Sequence, residues 1–181
     1  GAWELGYGTQ LTFSDGWKHH VGEWSPDGKW ITTEIIKIDE FQTSIVLFPL
    51  DGGEPVNLLT GNTDGIPLFP KFTSDSKKVY FTNYSSQYER FIGSIDIETR
   101  KREVVLENAG HGYWSHNGRY LVHVKLENPQ KVAVYDKETG SIWNLAEETS
   151  NTWVHSCFSP DDSYVVTTLG GPGERYLYKI P

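Results

Sequence analysis

The chain has 181 residues and carries 16 Lys and Arg against 24 Asp and Glu, a formal net charge of −8. That length suits one domain with a real core, and the shortage of cations excludes a nucleic-acid partner, because no basic patch exists to neutralise phosphates. No apolar run approaches the ~18 residues a membrane-spanning helix needs, and the single Cys157 excludes an internal disulfide without assigning a compartment.

Taken in order, the sequence reads as short β-runs separated by polar turns, with no helical periodicity of useful length. Residues 1–13 end in a strand, Thr9-Gln10-Leu11-Thr12-Phe13. The next four are expected over His19 to Trp24, Trp30 to Ile36, Ser44 to Phe48 and Pro55 to Thr60. A second group follows over Pro67 to Phe72, Lys78 to Tyr84, Phe91 to Ile97 and Arg102 to Leu106. A third covers Gly110 to Ser115, Tyr120 to Lys125, Lys131 to Tyr135 and Ser141 to Leu145. The last holds three, Trp153 to Phe158, Tyr164 to Leu169 and Arg175 to Ile180.

The groups share a corner. Trp24-Ser25-Pro26-Asp27-Gly28-Lys29-Trp30 recurs as Phe72-Thr73-Ser74-Asp75-Ser76-Lys77-Lys78, as Trp114-Ser115-His116-Asn117-Gly118-Arg119-Tyr120 and as Phe158-Ser159-Pro160-Asp161-Asp162-Ser163-Tyr164. An aromatic closes one strand, Pro or a polar residue starts the turn, Asp or Asn bonds back to the backbone, and Gly accepts a positive φ. The repeated Ser or Thr recurs at intervals of 48, 42 and 44 residues. A period in this range with several short strands is the signature of a propeller blade. Joining the ends gives 47 residues from Ser159 round to Ser25, and Val56-Asn57-Leu58-Leu59-Thr60 reads like the N-terminal strand. The expected fold is all-β, a β-propeller with four blades of four antiparallel strands, over residues 18–60, 61–107, 108–147 and 148–181 plus 1–13. The N-terminal strand closes the last blade. The count equally allows half of an eight-bladed dimeric ring, or a part of a larger propeller.

The corners, together with Asp51-Gly52-Gly53-Glu54-Pro55-Val56-Asn57-Leu58-Leu59-Thr60, resemble the WD-like repeat of TolB-type propellers. Blades of that family read aromatic-Ser-Pro-Asp-Gly-Lys and end in Gly-Gly-Glu followed by Leu-Thr. The resemblance covers essentially the whole chain and is specific for fold. It implies a periplasmic or secreted binding or scaffold module that recognises a protein or peptide on its loop face.

Candidate site residues follow from aligning the blades. Four positions before the repeated Ser or Thr stand Val21, Phe69, His111 and His155. His19 shares their side if strand residues alternate with period two, and His20 is adjacent. With Asp64 and Trp153 these define a channel mouth: His19, His20, Asp64, His111, Trp153 and His155. Trp17, Tyr88, Arg90 and Arg175 sit on the same loop face, where aromatics stack on sugars or anchor peptides. No metal or other cofactor is required on this first reading. The alternative is enzymatic, with one divalent metal on His19, His111 and His155, since imidazole with carboxylate suits Mn, Fe or Zn. TolB resemblance extends to oligogalacturonate lyases, propellers with a metal-bearing channel, and so implies a carbohydrate ligand as the rival to a peptide. No Gly-x-Ser-x-Gly elbow is present, which argues against a hydrolase.

Overall fold

The corner turns are built the same way four times. In the computed structural model, the Ser25 hydroxyl donates to Asp27 Oδ1 at 2.6 Å and accepts the Trp30 N–H at 2.9 Å. Thr73 repeats this with Asp75 and Lys78, Ser115 with Asn117 and Tyr120, and Ser159 with Asp161 and Tyr164. Each Ser or Thr N–H also donates to the carbonyl five residues on, which fixes the hairpin. The third residue after the repeated hydroxyl has positive φ in every copy: Gly28, Ser76, Gly118 and Asp162 at 71°, 59°, 73° and 57°.

The structure describes residues 17–37, 42–61, 65–85, 90–127, 129–148, 155–170, 174 and 176–181. Four antiparallel sheets contain them, and no helix occurs among these residues. The first is β1 (Trp17–Trp24), β2 (Trp30–Lys37), β3 (Gln42–Pro49) and β4 (Val56–Thr60). The second is β5 (Ile66–Phe72), β6 (Lys78–Tyr84), β7 (Arg90–Asp96) and β8 (Arg102–Glu107). The third is β9 (Ala109–Trp114), β10 (Tyr120–Lys125), β11 (Gln130–Asp136) and β12 (Ile142–Glu148). The fourth is β13 (Ser156–Phe158), β14 (Val165–Leu169) and β15 (Tyr176–Ile180). In each, successive strands are neighbours, so the chain meanders outward from the first strand. The arrangement is a four-bladed β-propeller. The N-terminal strand expected to close the last blade lies outside the described residues, as do Asp64, Tyr88, Trp153 and Arg175.

Apolar side chains fill the spaces between blades. Ile45 and Leu47 meet Phe72, Val79, Phe81 and Ile95 at the first junction. Tyr80 and Ile92 meet Ala109, Trp114 and Leu121 at the second. Val122, Val124, Val132 and Val134 meet Val165 and Phe158 at the third. At the second junction the approach is so close that a Cβ on Gly112 would stand 2.7 Å from Ile92 Cδ1. Burial of this kind, about 25 cal/mol per Å² of apolar surface, is the main stabilising contribution.

The first strands carry bulges. Register slips between His19 and Gly22 in β1, between Leu68 and Lys71 in β5, and opposite Val122 to Val124 in β9. Phe69 and His111 occupy the last two bulges with φ of 57° and 53°, strained for residues with a Cβ. The strain persists because each N–H is claimed by the preceding blade: Phe69 donates to Glu34 Oε2 at 2.6 Å and His111 to Thr82 Oγ1 at 3.1 Å.

Candidate functional site

The bulges decide which residues converge at the channel mouth. The alternation that would place His19 beside His111 is interrupted between His19 and Gly22. His19 instead packs at a tilt against Phe48, with 5.8 Å between ring centroids, and partial burial lowers its pKa. His20 is the residue linked to the second blade: its Nδ1–H donates to Glu34 Oε1 at 2.6 Å, and the same carboxylate takes the Phe69 N–H. Glu34 is fully buried, a carboxylate held by one imidazole and one backbone amide.

His111 and His155 do meet, edge to face at 5.1 Å, with Phe69 packed on both at 4.7 and 6.2 Å. Tyr84, from β6, is hydrogen-bonded to His111 Nε2 at 3.0 Å, and Arg90 lies over the Tyr84 ring at 4.7 Å. Burial pushes the Tyr84 hydroxyl up to about 12 and pushes His111 down to about 4, the latter helped by His155 and Arg90. Both groups are therefore neutral across the physiological range. Among the described residues no group of three or more His, Cys, Asp or Glu is placed to hold a metal ion. Two ring nitrogens here already have partners: His20 Nδ1 is turned to Glu34 and His111 Nε2 to Tyr84. Trp17, on the rim, carries Lys37 Nζ at 5.9 Å over its ring.

A recess of about 240 Å³ opens toward the corner-turn end of the same first strands. Its charged floor comes from residues two before the repeated hydroxyl: Glu23, Lys71 and Tyr113. Lys71 Nζ donates to Glu23 Oε1 at 3.2 Å and stands 5.0 Å from the centre of the Tyr113 ring. The other Glu23 oxygen accepts the Phe72 N–H at 2.9 Å. Burial, with the Glu23 charge beside it, raises the Tyr113 pKa. Trp24, Pro26, Phe72 and Trp114 supply apolar walls, and Ser74, Ser115 and His116 the polar lip. An apolar cleft with an ion pair and an aromatic cation contact at its base can seat an apolar group and exchange polar bonds with a flanking amide or carboxylate. Sequence reasoning passed over Glu23, Lys71 and Tyr113, although the alignment that exposed the fourth position before the hydroxyl also exposes the second.

No family model matches the chain, and no curated protein sequence matches it. Solved structures do. TolB from Acinetobacter baumannii is 17% identical with a TM-score of 0.67, over 90% of this chain and 38% of that one. A manganese complex of oligogalacturonate lyase is 15% identical with a TM-score of 0.58, over 93% and 66%. The β-propeller domain of the Trilobed protease from Pyrococcus furiosus is 14% identical with a TM-score of 0.64, over 93% and 54%. The fold is thus that of TolB-type β-propellers. The chain spans little more than a third of the TolB chain and between half and two thirds of the other two.

Proposed function

We propose that the chain is a binding propeller that recognises a segment of a protein or peptide in the recess at its corner-turn mouth. The observation that carries this is the Glu23–Lys71–Tyr113 line across three blades, set beneath apolar walls. Aromatic anchors over a partly desolvated charge pair are what peptide-recognition hot spots are made of. The sequence reading favoured the opposite mouth, where Phe69 and the two histidines pack on one another and Tyr84 takes His111 Nε2.

The test is selection of a displayed library of linear peptides on the immobilised chain, with counter-selection on the Lys71→Ala and Tyr113→Ala variants. Enriched peptides should pair an apolar residue with an adjacent carboxylate or amide. Their affinity should fall at least about tenfold, some 1.4 kcal/mol, in either variant. Peptides that bind both variants as well as the parent overturn the proposal. The rival reading, a metal-assisted carbohydrate lyase, predicts stoichiometric divalent metal in the purified protein and a melting temperature lowered by chelator. Finding either would replace peptide recognition with that reading.

A further inference from the structure

The recess at the corner-turn mouth has a sign, and it can be read from which of its charges are already engaged. Both oxygens of Glu23 are taken, one by Lys71 Nζ and the other by the Phe72 N–H. Asp162, which braces His116 on the lip, accepts the His116 and Asn117 N–H groups with its two oxygens. Lys71 is different. An ammonium can donate three times, yet among the described residues Nζ has one acceptor, Glu23, and its other contact is the Tyr113 ring. The hydroxyls of Tyr113 and Ser74 also line the recess and make no hydrogen bond among the described residues. The carboxylates are saturated and the cation is not. The group that completes this site is an anion with acceptor oxygens.

The depth of the recess limits how such a group can arrive. Two residues before Lys71 and Tyr113 on the same strands stand Phe69 and His111, and His155 lies just before β13. These three rings touch one another across the second, third and fourth blades, at 4.7, 6.2 and 5.1 Å between centroids. They lie across the inner end, so a chain entering past Phe72 and Trp114 meets rings rather than an exit. The volume, about 240 Å³, is room for one large residue and not for a segment that folds back on itself.

We infer that the recess takes the C-terminal residue of its peptide, with the free α-carboxylate on Lys71, Tyr113 and Ser74 and an apolar side chain against Phe72 and Trp114. This rests on the reading of the recess as a peptide site and adds which part of the peptide enters it. A terminal residue is the one place in a chain where a carboxylate and an apolar side chain leave the same Cα, which suits a site one residue deep. An N-terminal amine is excluded by the same census, because it would need a carboxylate oxygen that Glu23 and Asp162 no longer have free. Charge-assisted bonds to an ammonium and two hydroxyls are the means by which a terminal carboxylate is held.

The probes are N-acetylated tetrapeptides ending in Leu, made as the free acid and as the C-terminal amide and titrated by calorimetry into the 181-residue chain. The acid should bind at least about tenfold more tightly than the amide. A control with an internal Glu beside Leu and an amidated end should bind no more tightly than the simple amide. Lys71→Gln should bring acid and amide to within about twofold of each other. Tyr113→Phe removes only the hydroxyl and should narrow the gap partway. Acid and amide are compared on the parent chain, so the central result does not depend on either variant folding. Equal affinity for acid and amide, an internal-Glu control as tight as the acid, or no measurable binding of the acid overturns the inference. The first two outcomes leave peptide recognition in the recess standing. Only the absence of any Lys71- and Tyr113-dependent peptide from the library selection removes that reading.

Discussion

The Asp162 carboxylate accepts the His116 N–H at 2.7 Å and also faces the His116 imidazole, reaching from the fourth blade's corner turn to the third's. Its second oxygen takes the Asn117 N–H at 2.9 Å. Asp162 sits where two other blades carry glycine, at a φ of 57°, so the backbone there is held in a costly conformation by bonds the side chain makes outside its own blade. Ser76 does the same between the second and first blades, accepting the Asp27 N–H at 3.0 Å.

Asp162→Ala keeps the strain and loses the bonds to His116 and Asn117, so it should destabilise by about 2–3 kcal/mol. Asp162→Gly relieves the strain and should cost about 1 kcal/mol less. Urea midpoints measure both. Equal losses in the two variants would mean that the left-handed backbone contributes nothing. Burial opposes ionisation of Asp162, yet the amide and imidazole bonds outweigh it and its pKa is lowered. Its contribution is therefore present above the ordinary carboxylate pKa near 3.8 and lost as pH falls below it.

Acid should weaken the protein well before its carboxylates protonate. Burial pushes both His111 and His123 down from 6.5 to about 4. Between those values the unfolded chain binds the protons, so the stability these residues hold is complete above pH 6.5 and drains away toward pH 4. The expected loss is on the order of 2 kcal/mol per histidine. Asp136 and Asp161, held at about 2 chiefly by hydrogen bonds from Arg119 and from Ser159, titrate lower and do not mask it. Denaturation from pH 7.5 to 4.5 should show the slope, and His123→Leu should flatten it. An unchanged slope in that variant would assign the acid response elsewhere.

Glu34 joins His20 to the bulge at Phe69, and the two halves of that arrangement can be separated. Glu34→Gln keeps an acceptor beside the Phe69 N–H and should cost about 1 kcal/mol. Glu34→Leu strands that amide inside the first junction and should cost about 3 kcal/mol. Unfolding of the two variants by urea checks the order. A leucine variant as stable as the parent would show that the carboxylate is not what holds the bulge.

The corner turns were legible because their chemistry is local: a hydroxyl, an Asp or Asn side chain two residues on and a left-handed third position are all contained in seven consecutive residues. The strands they join were legible too, with Lys78–Tyr84 and Tyr120–Lys125 falling where the apolar runs place them. The mouth was less so. Its composition depends on bulges, and a bulge at His19 to Gly22 leaves no mark that period-two alternation can register. Phe69 and His111 take backbone angles that favour glycine, for reasons located in the blade before each. The recess was hidden differently: Glu23, Lys71 and Tyr113 are unlike in chemistry, and only their common place in the repeat connects them.

Five of the tethers between blades run from side chain to main chain. Asp162, Ser76, Glu34, Thr82 and Glu23 all take a peptide N–H of the neighbouring blade. Every residue except proline offers that group, so the receiving partner is free to drift in identity while the docking geometry stays put. Such one-sided grammar lets modules mutate independently of their neighbours, and it gives a chemical reason why propellers sharing about one residue in six with this chain still superpose on it.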